Sequence, residues 1–167
     1  METIRNKVAE SGLITLDPEK YYPERSPISF DVKDFLFREL LLREKDFREL
    51  METHDWLQYK EKHVVVFCSS DAIIPMWAYM LIASKLSGIA KNITVGTPEE
   101  AFKKDYLENI SAINKEELTD RRVIIKGCGE KEIPPYVYEA ITSHLMPVVK
   151  SLMYGEPCST VPVYKRK

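Results

Sequence analysis

The hydrophobic pattern of this chain contains a continuous β-branched run at residues 63–67, which predicts a strand covered on both faces. Residues 122–126, Arg-Val-Ile-Ile-Lys, predict a further strand. The stretch 72–86 is apolar nearly all round and has helical spacing, so it predicts a buried helix. Residues 93–95 predict the next short strand. The pattern therefore indicates a strand–helix–strand unit followed by a further strand.

A capping box marks the start of the next helix. The side chains of Thr97 and Glu100 can each bind the other's backbone amide, and Pro98 suits the first helical position. The last helical region is predicted over 134–155. We expect Pro147 to kink or split it, and the glycine at its end to terminate it.

Shorter elements precede this region. Residues 3–11 predict a helix, 13–16 a short strand and 28–32 a half-buried strand with alternating polarity. Residues 44–53 predict a helix with an apolar stripe. The segment 38–42 fits either the first turns of that helix or a separate strand, and we favour the strand.

Alternation of strands and helices predicts an α/β fold with right-handed crossovers. We expect one domain, 1–167, with a mostly parallel sheet built from three βα units in residues 63–155. We expect the N-terminal strands to extend this sheet at an edge. An antiparallel alignment with the other strands is compatible with the sequence. The sequence shows no internal repeat and no linker.

Composition narrows the function classes. Hydrophobic residues make up 44% and charged residues 30%, as in an ordinary globular protein. A net charge of -2, from 24 basic and 26 acidic residues, gives no basic stripe to neutralise nucleic-acid phosphates. No secretory signal and no stretch of roughly 20 apolar residues is visible. We therefore expect a cytoplasmic protein that binds neither nucleic acid nor membrane.

The three cysteines are the chemical feature of interest. Cys68 directly follows the strand 63–67, and Cys128 follows the strand 122–126 within a Gly-Cys-Gly segment. Carboxyl ends of parallel strands share one edge, so neighbouring strands would bring the two thiols to about 5 Å. An intervening strand would double that gap. Cys158 follows the last predicted helix, whose C-terminus points to the opposite edge unless Pro147 redirects the chain.

Our leading hypothesis is a soft-metal site formed by Cys68, Cys128 and Cys158, because thiolates select zinc, copper(I) or iron–sulfur species. Asp71, a histidine or a partner would supply a fourth ligand. A second hypothesis is a thiol-dependent enzyme or sulfur carrier with one reactive cysteine. Cys68 suits this role because it precedes a helix N-terminus, whose dipole favours the thiolate.

A third hypothesis is a non-catalytic scaffold, because free cysteines are often buried structural residues. The sequence contains no dinucleotide-binding, Walker, nucleophile-elbow or zinc-protease motif. Whether the protein is an enzyme therefore stays open at this point.

Several segments resemble a bacterial family known as domain of unknown function 2480. They are residues 32–37, 45–48, 68–80, 123–129 and 153–167. The ending Tyr-Gly-Glu-Pro-Cys-Ser-Thr-Val-Pro, 154–162, is the most specific of them, and all three cysteines lie inside the resembling segments. The resemblance implies no particular activity. It does imply an association with iron–sulfur assembly proteins, which favours a role for the thiols.

Overall fold

The computed structural model describes residues 12–167, so the helix predicted at 3–11 lies outside the described residues. The described chain divides into two compact units. Unit 1 comprises residues 12–23 and 105–167, and unit 2 comprises Glu24–Lys104. The prediction that the whole chain is one domain stays a prediction.

Unit 2 contains a three-stranded parallel sheet. Strands β2 (Ile28–Asp31), β3 (His63–Phe67) and β4 (Asn92–Val95) lie in that order, with β3 in the centre. Helices α1 (Glu44–Thr53) and α2 (Met76–Leu86) belong to the same unit. Val64, Val65 and Val66 of β3 are buried, as expected for a strand covered on both faces.

Unit 1 contains a four-stranded sheet in the order β1 (Leu13–Leu16), β5 (Arg122–Ile125), β6 (Ser151–Glu156) and β7 (Ser159–Lys165). The first three strands are parallel and β7 is antiparallel to β6. Helix α4 (Pro135–Leu145) connects β5 to β6, and its buried residues share one face.

Helix α3 (Pro98–Ser111) begins with the predicted capping box. The Thr97 N–H donates to Glu100 Oε2 at 2.7 Å, and the Glu100 N–H donates to Thr97 Oγ1 at 3.2 Å. From Asp105 onward this helix belongs to unit 1, where Tyr106 is buried. The expected N-terminal cap is confirmed.

The predicted α/β class with mostly parallel strands is confirmed, but the strands form two sheets rather than one. β1 and β2 are edge strands as expected, one in each sheet, and both pair in parallel. The segment 38–42 is a tight turn closed by a single bridge between Phe37 and Leu41, not a strand. Helix α2 starts at Met76 rather than at residue 72, because the residue before a proline disfavours helical geometry.

The predicted helix over 134–155 is wrong in its second half. Helix α4 ends at Leu145, two residues before Pro147. The chain then forms the β6–β7 hairpin, whose two turn residues are Pro157 and Cys158. This segment is a strand because β6 pairs with β5, which is distant in the sequence. The local spacing of apolar residues does not reveal such pairing.

The two units repeat one arrangement of elements. In unit 2 the central strand β3 is followed by α2 and β4, and in unit 1 the central strand β5 is followed by α4 and β6. Corresponding residues lie 59 positions apart, since α2 runs from Met76 to Leu86 and α4 from Pro135 to Leu145. An edge strand, β2 or β1, completes each set. The expectation of no internal repeat is wrong at the level of structure.

Backbone details repeat at the same offset. Glu61 and Asp120 both have positive φ, 57° and 58°. The Glu61 N–H donates to Ile89 O at 3.0 Å, and the Asp120 N–H donates to Val148 O at 2.9 Å. Between residues 63 and 96, nine identities share the spacing: Val64/Val123, Ile74/Ile133, Pro75/Pro134, Tyr79/Tyr138, Ile82/Ile141, Ser84/Ser143, Leu86/Leu145, Lys91/Lys150 and Gly96/Gly155. Most of these positions are buried or precede a helix, where packing and backbone geometry restrict the choice of residue.

Candidate functional site

The carboxyl ends of β1, β5 and β6 border a cleft of about 420 Å³ in unit 1. This is the edge at which parallel sheets commonly bind ligands. The side chains that give the cleft its chemical character are Asp17, Glu19, Lys126, Cys128, Tyr138 and Tyr154.

An ion pair crosses the cleft from β1 to β5. Lys126 Nζ donates to Asp17 Oδ2 at 3.0 Å, and both side chains are about three-quarters buried, with 30% and 21% exposed. Burial alone would raise the pKa of Asp17, but the hydrogen bonds from Lys126 and from the Glu19 N–H outweigh it, and the net pKa lies below the ordinary 3.8. The hydrogen bond to Asp17 raises the pKa of Lys126 despite partial desolvation. Both groups are therefore charged at neutral pH.

The loop that carries Cys128 lies between the side chains of Tyr154 and Glu19. A Cβ atom at Gly127 would lie 2.5 Å from Cζ of Tyr154, and a Cβ atom at Gly129 would collide with the Glu19 carboxylate. Glu19 also accepts a hydrogen bond from the Lys131 N–H at 2.6 Å. The two glycines therefore permit close contacts that hold the loop, and Cys128 between them is exposed to solvent.

Two tyrosines form one wall of the cleft. The rings of Tyr138, from α4, and Tyr154, from β6, meet edge to face with centroids 5.5 Å apart. Burial first, and then nearby groups that can carry negative charge, raise the pKa of Tyr138 above its ordinary 10.0; these groups include Tyr154, Cys128 and Asp17. Tyr138 is therefore a protonated hydroxyl at neutral pH, able to donate a hydrogen bond within the cleft.

Unit 2 holds Cys68 at the equivalent edge of its own sheet, immediately after β3. Cys68 is half-buried against the hydrophobic core, and its Sγ lies 3.4 Å from Ser70 Oγ. Asp31, at the end of β2, accepts a hydrogen bond from the Ser69 N–H at 3.0 Å and so fixes this loop. Asp71 follows in the same loop and is exposed.

Cys158 occupies the turn between β6 and β7 and is exposed. The expectation that it points to the opposite edge from Cys128 is wrong, because it follows a strand and not a helix. β6 is parallel to β5, so the turn after β6 lies at the same edge of the sheet as the loop after β5. Burial thus explains neither Cys128 nor Cys158, and the scaffold hypothesis with buried structural cysteines is limited to Cys68.

The strand order removes the simplest arrangement for a site shared by Cys68 and Cys128. β3 pairs with β2 and β4, while β5 pairs with β1 and β6, so the two strands are not neighbours. Within residues 12–167, no group of three or more His, Cys, Asp or Glu side chains is placed to hold a metal ion. A metal site that combines Cys68, Cys128, Cys158 and Asp71 stays a prediction.

Sequence reasoning found Cys128 but missed Asp17, Lys126 and Tyr138. Two signals were available. Asp17 directly follows one predicted strand and Lys126 is the last residue of another, and parallel strands bring such residues to one edge. Tyr138 repeats Tyr79 at the 59-residue offset, which marks a helix position that faces the loop after the central strand in each unit.

Across residues 12–167, no helix has the length and apolar character needed to cross a membrane.

Comparison with known proteins gives one match. The model of a family described as "Protein of unknown function (DUF2480)" matches residues 2–166. No curated protein and no solved structure matches the chain. The match covers nearly the whole sequence and agrees with the resemblance of its segments, so the chain belongs to family DUF2480.

Proposed function

We propose that this chain is a cytoplasmic thiol protein, an enzyme or a sulfur carrier, whose reactive group is Cys128. The observation that carries the proposal is the position of Cys128. Its thiol is exposed in a cleft at the carboxyl edge of a parallel sheet, on a loop held between Tyr154 and Glu19. Sites of this kind are typical of ligand binding in α/β proteins.

The neighbouring groups suit thiol chemistry. A thiolate is the reactive form of cysteine, and nearby positive charge favours it. Lys126 supplies that charge two residues away on the same loop, and Asp17 holds the lysine in place. The Tyr138 hydroxyl lines the same cleft and can donate a hydrogen bond to sulfur or to a bound carbonyl oxygen.

Alkylation of the full chain with iodoacetamide, followed by peptide mapping, tests this proposal. We expect Cys128 to react faster than Cys158, although both thiols are exposed. Lys126→Met should slow the reaction of Cys128 and leave Cys158 unchanged. Equal rates for the two thiols, with no effect of Lys126→Met, would show that the cleft does not activate the cysteine.

Metal binding is the second candidate, favoured by the position of Cys128 and Cys158 at one edge of the sheet. Zinc or an iron–sulfur species bound by these thiolates needs further ligands. A histidine, or a partner such as an iron–sulfur assembly protein, would supply them. Metal analysis of protein purified anaerobically without chelator should then give one equivalent, lost in Cys128→Ser and in Cys158→Ser. Metal well below one equivalent, unchanged by these substitutions, would end this candidate.

A further inference from the structure

An apolar groove adjoins the Cys128 cleft. It has a volume of about 520 Å³ and a mostly apolar lining that includes Ile125, Ile133, Pro135, Tyr138, Tyr154 and Val163, while Glu139, Thr142 and Ser143 of α4 also border it. Ile133, Tyr138 and Tyr154 line both the groove and the cleft, so the two spaces share a wall. A ligand that reaches from one into the other meets a polar, thiol-bearing end and an apolar end.

We infer that Cys128 accepts the acyl group of a thioester, with the aliphatic chain of that group lying in the groove. This inference rests on the proposed function of Cys128. It favours an enzyme over a sulfur carrier. A sulfur carrier would hold a persulfide, whose outer sulfur atom has no chain that could occupy the groove. Both spaces have volumes in the range of small-molecule sites.

The chemistry requires no oxidant and no energy source. Sγ of Cys128 attacks the carbonyl carbon of the donor thioester, a new C–S bond forms, and the bond from that carbon to the donor sulfur breaks. The proton of the Cys128 thiol ends on the departing donor thiolate. One thioester is consumed and one is made. The Tyr138 hydroxyl and the Lys126 ammonium both line the cleft and can donate hydrogen bonds to the carbonyl oxygen as it gains charge.

Acylation of the full chain by acetyl, butyryl and hexanoyl thioesters of N-acetylcysteamine tests this inference. Intact mass and peptide mapping identify the modified cysteine, and initial rates give an apparent KM for each chain length. We expect the adduct on Cys128, absent in Cys128→Ser, and an apparent KM that falls about fourfold for each methylene that enters the groove. The exposed Cys158 in the same molecule serves as an internal reference without chain-length preference.

A matched pair of substitutions on β7 tests whether the acyl chain lies in the groove. Val163 lines the groove and Val161 does not, while both are exposed, at 53% and 61%. Val163→Asp should raise the apparent KM for the hexanoyl thioester about tenfold more than that for the acetyl thioester, because only the longer chain has to desolvate the new charge. Val161→Asp should change neither.

The outcomes separate this inference from the proposal beneath it. If chain length has no effect, or if Val163→Asp and Val161→Asp behave alike, the acyl assignment is overturned. If Cys128 still reacts selectively with iodoacetamide in that case, the thiol function stands without it. If Cys128 reacts with neither reagent faster than Cys158, both fail.

Discussion

An aspartate at the end of the edge strand does different work in the two units. Asp17 directly follows β1 and Asp31 is the last residue of β2, and each caps a short 3₁₀ turn through its Oδ1. Asp31 then binds the backbone of Ser69 in the loop after the central strand, whereas Asp17 binds the side chain of Lys126.

The residues of these loops differ at matching positions. At the 59-residue offset Ser69 corresponds to Cys128, and Cys68 corresponds to Gly127. In unit 2 the aspartate binds the loop backbone, and Cys68 is half-buried. In unit 1 the aspartate binds a lysine side chain instead, and the loop with two glycines exposes the thiol of Cys128 in a cleft. The repeated frame fixes where a site lies, and a few loop residues decide its chemistry.

The largest expected effect comes from the first helix of each repeat, where Phe47 corresponds to Tyr106 and both are buried. The Tyr106 hydroxyl donates to Pro18 O at 2.8 Å. Phe47→Tyr should lower the free energy of unfolding by about 3 kcal/mol, because it adds an unpaired hydroxyl to a filled core. Tyr106→Phe should cost about 1 kcal/mol by removing one hydrogen bond. Urea denaturation measures both. Equal losses would show that the two helix positions are not distinct environments.

A smaller effect is expected from the capping aspartates. Asp31→Ala should cost about 2 kcal/mol, because it removes the cap to Lys33 and the bond to Ser69. Asp17→Ala should also cost about 2 kcal/mol, because it removes the cap to Glu19 and the hydrogen bond from Lys126, and, unlike Asp31→Ala, it should slow alkylation of Cys128. Urea denaturation and iodoacetamide rates are compared for the two variants. An unchanged alkylation rate of Cys128 in Asp17→Ala would show that the ion pair between Asp17 and Lys126 does not affect the reactivity of the thiol.

The acid dependence of these aspartates follows from their pKa values. Burial would raise the pKa of Asp31, but hydrogen bonds from Ser69 and Lys33 lower it below 3.8, as those from Lys126 and Glu19 do for Asp17. Their contribution to stability is therefore complete above pH 3.8 and is lost as the pH falls through the lowered values. Urea midpoints measured across this range should fall less steeply in Asp31→Asn than in the native chain. Parallel curves for the two proteins would contradict the assignment.

The smallest effect concerns His54 of unit 2, which corresponds to Ile113 of unit 1. Burial lowers the pKa of His54 below 6.5, although Asp55 opposes this. The unfolded chain therefore binds the proton first, so stability is full above pH 6.5 and declines as the pH falls below it. Thermal denaturation at stepwise pH should show this decline in the native chain and not in His54→Ile. A decline of equal size in the variant would place its origin elsewhere.

The sequence pattern predicted individual elements well where local spacing decides them, as for β3, α1 and the capping box of α3. It could not predict strand partners, so it placed β3 and β5 in one sheet and extended α4 through β6. It predicted Cys128 as a site residue but not Asp17 or Tyr138, because these meet it only through pairing of β1 with β5 and packing of α4. The repeat escaped notice because few of its residues are identical, while its lengths and buried positions are kept.

The pairing of β1 with β5 has a consequence for biosynthesis. Unit 2 is continuous in the chain, whereas β1 of unit 1 pairs with β5, across the whole of unit 2. A nascent chain leaving the ribosome thus exposes β1 early, and its partner strand emerges only after unit 2 has been translated. Closing so long a loop is slow, so a chaperone that shields this first strand would raise the yield of native protein.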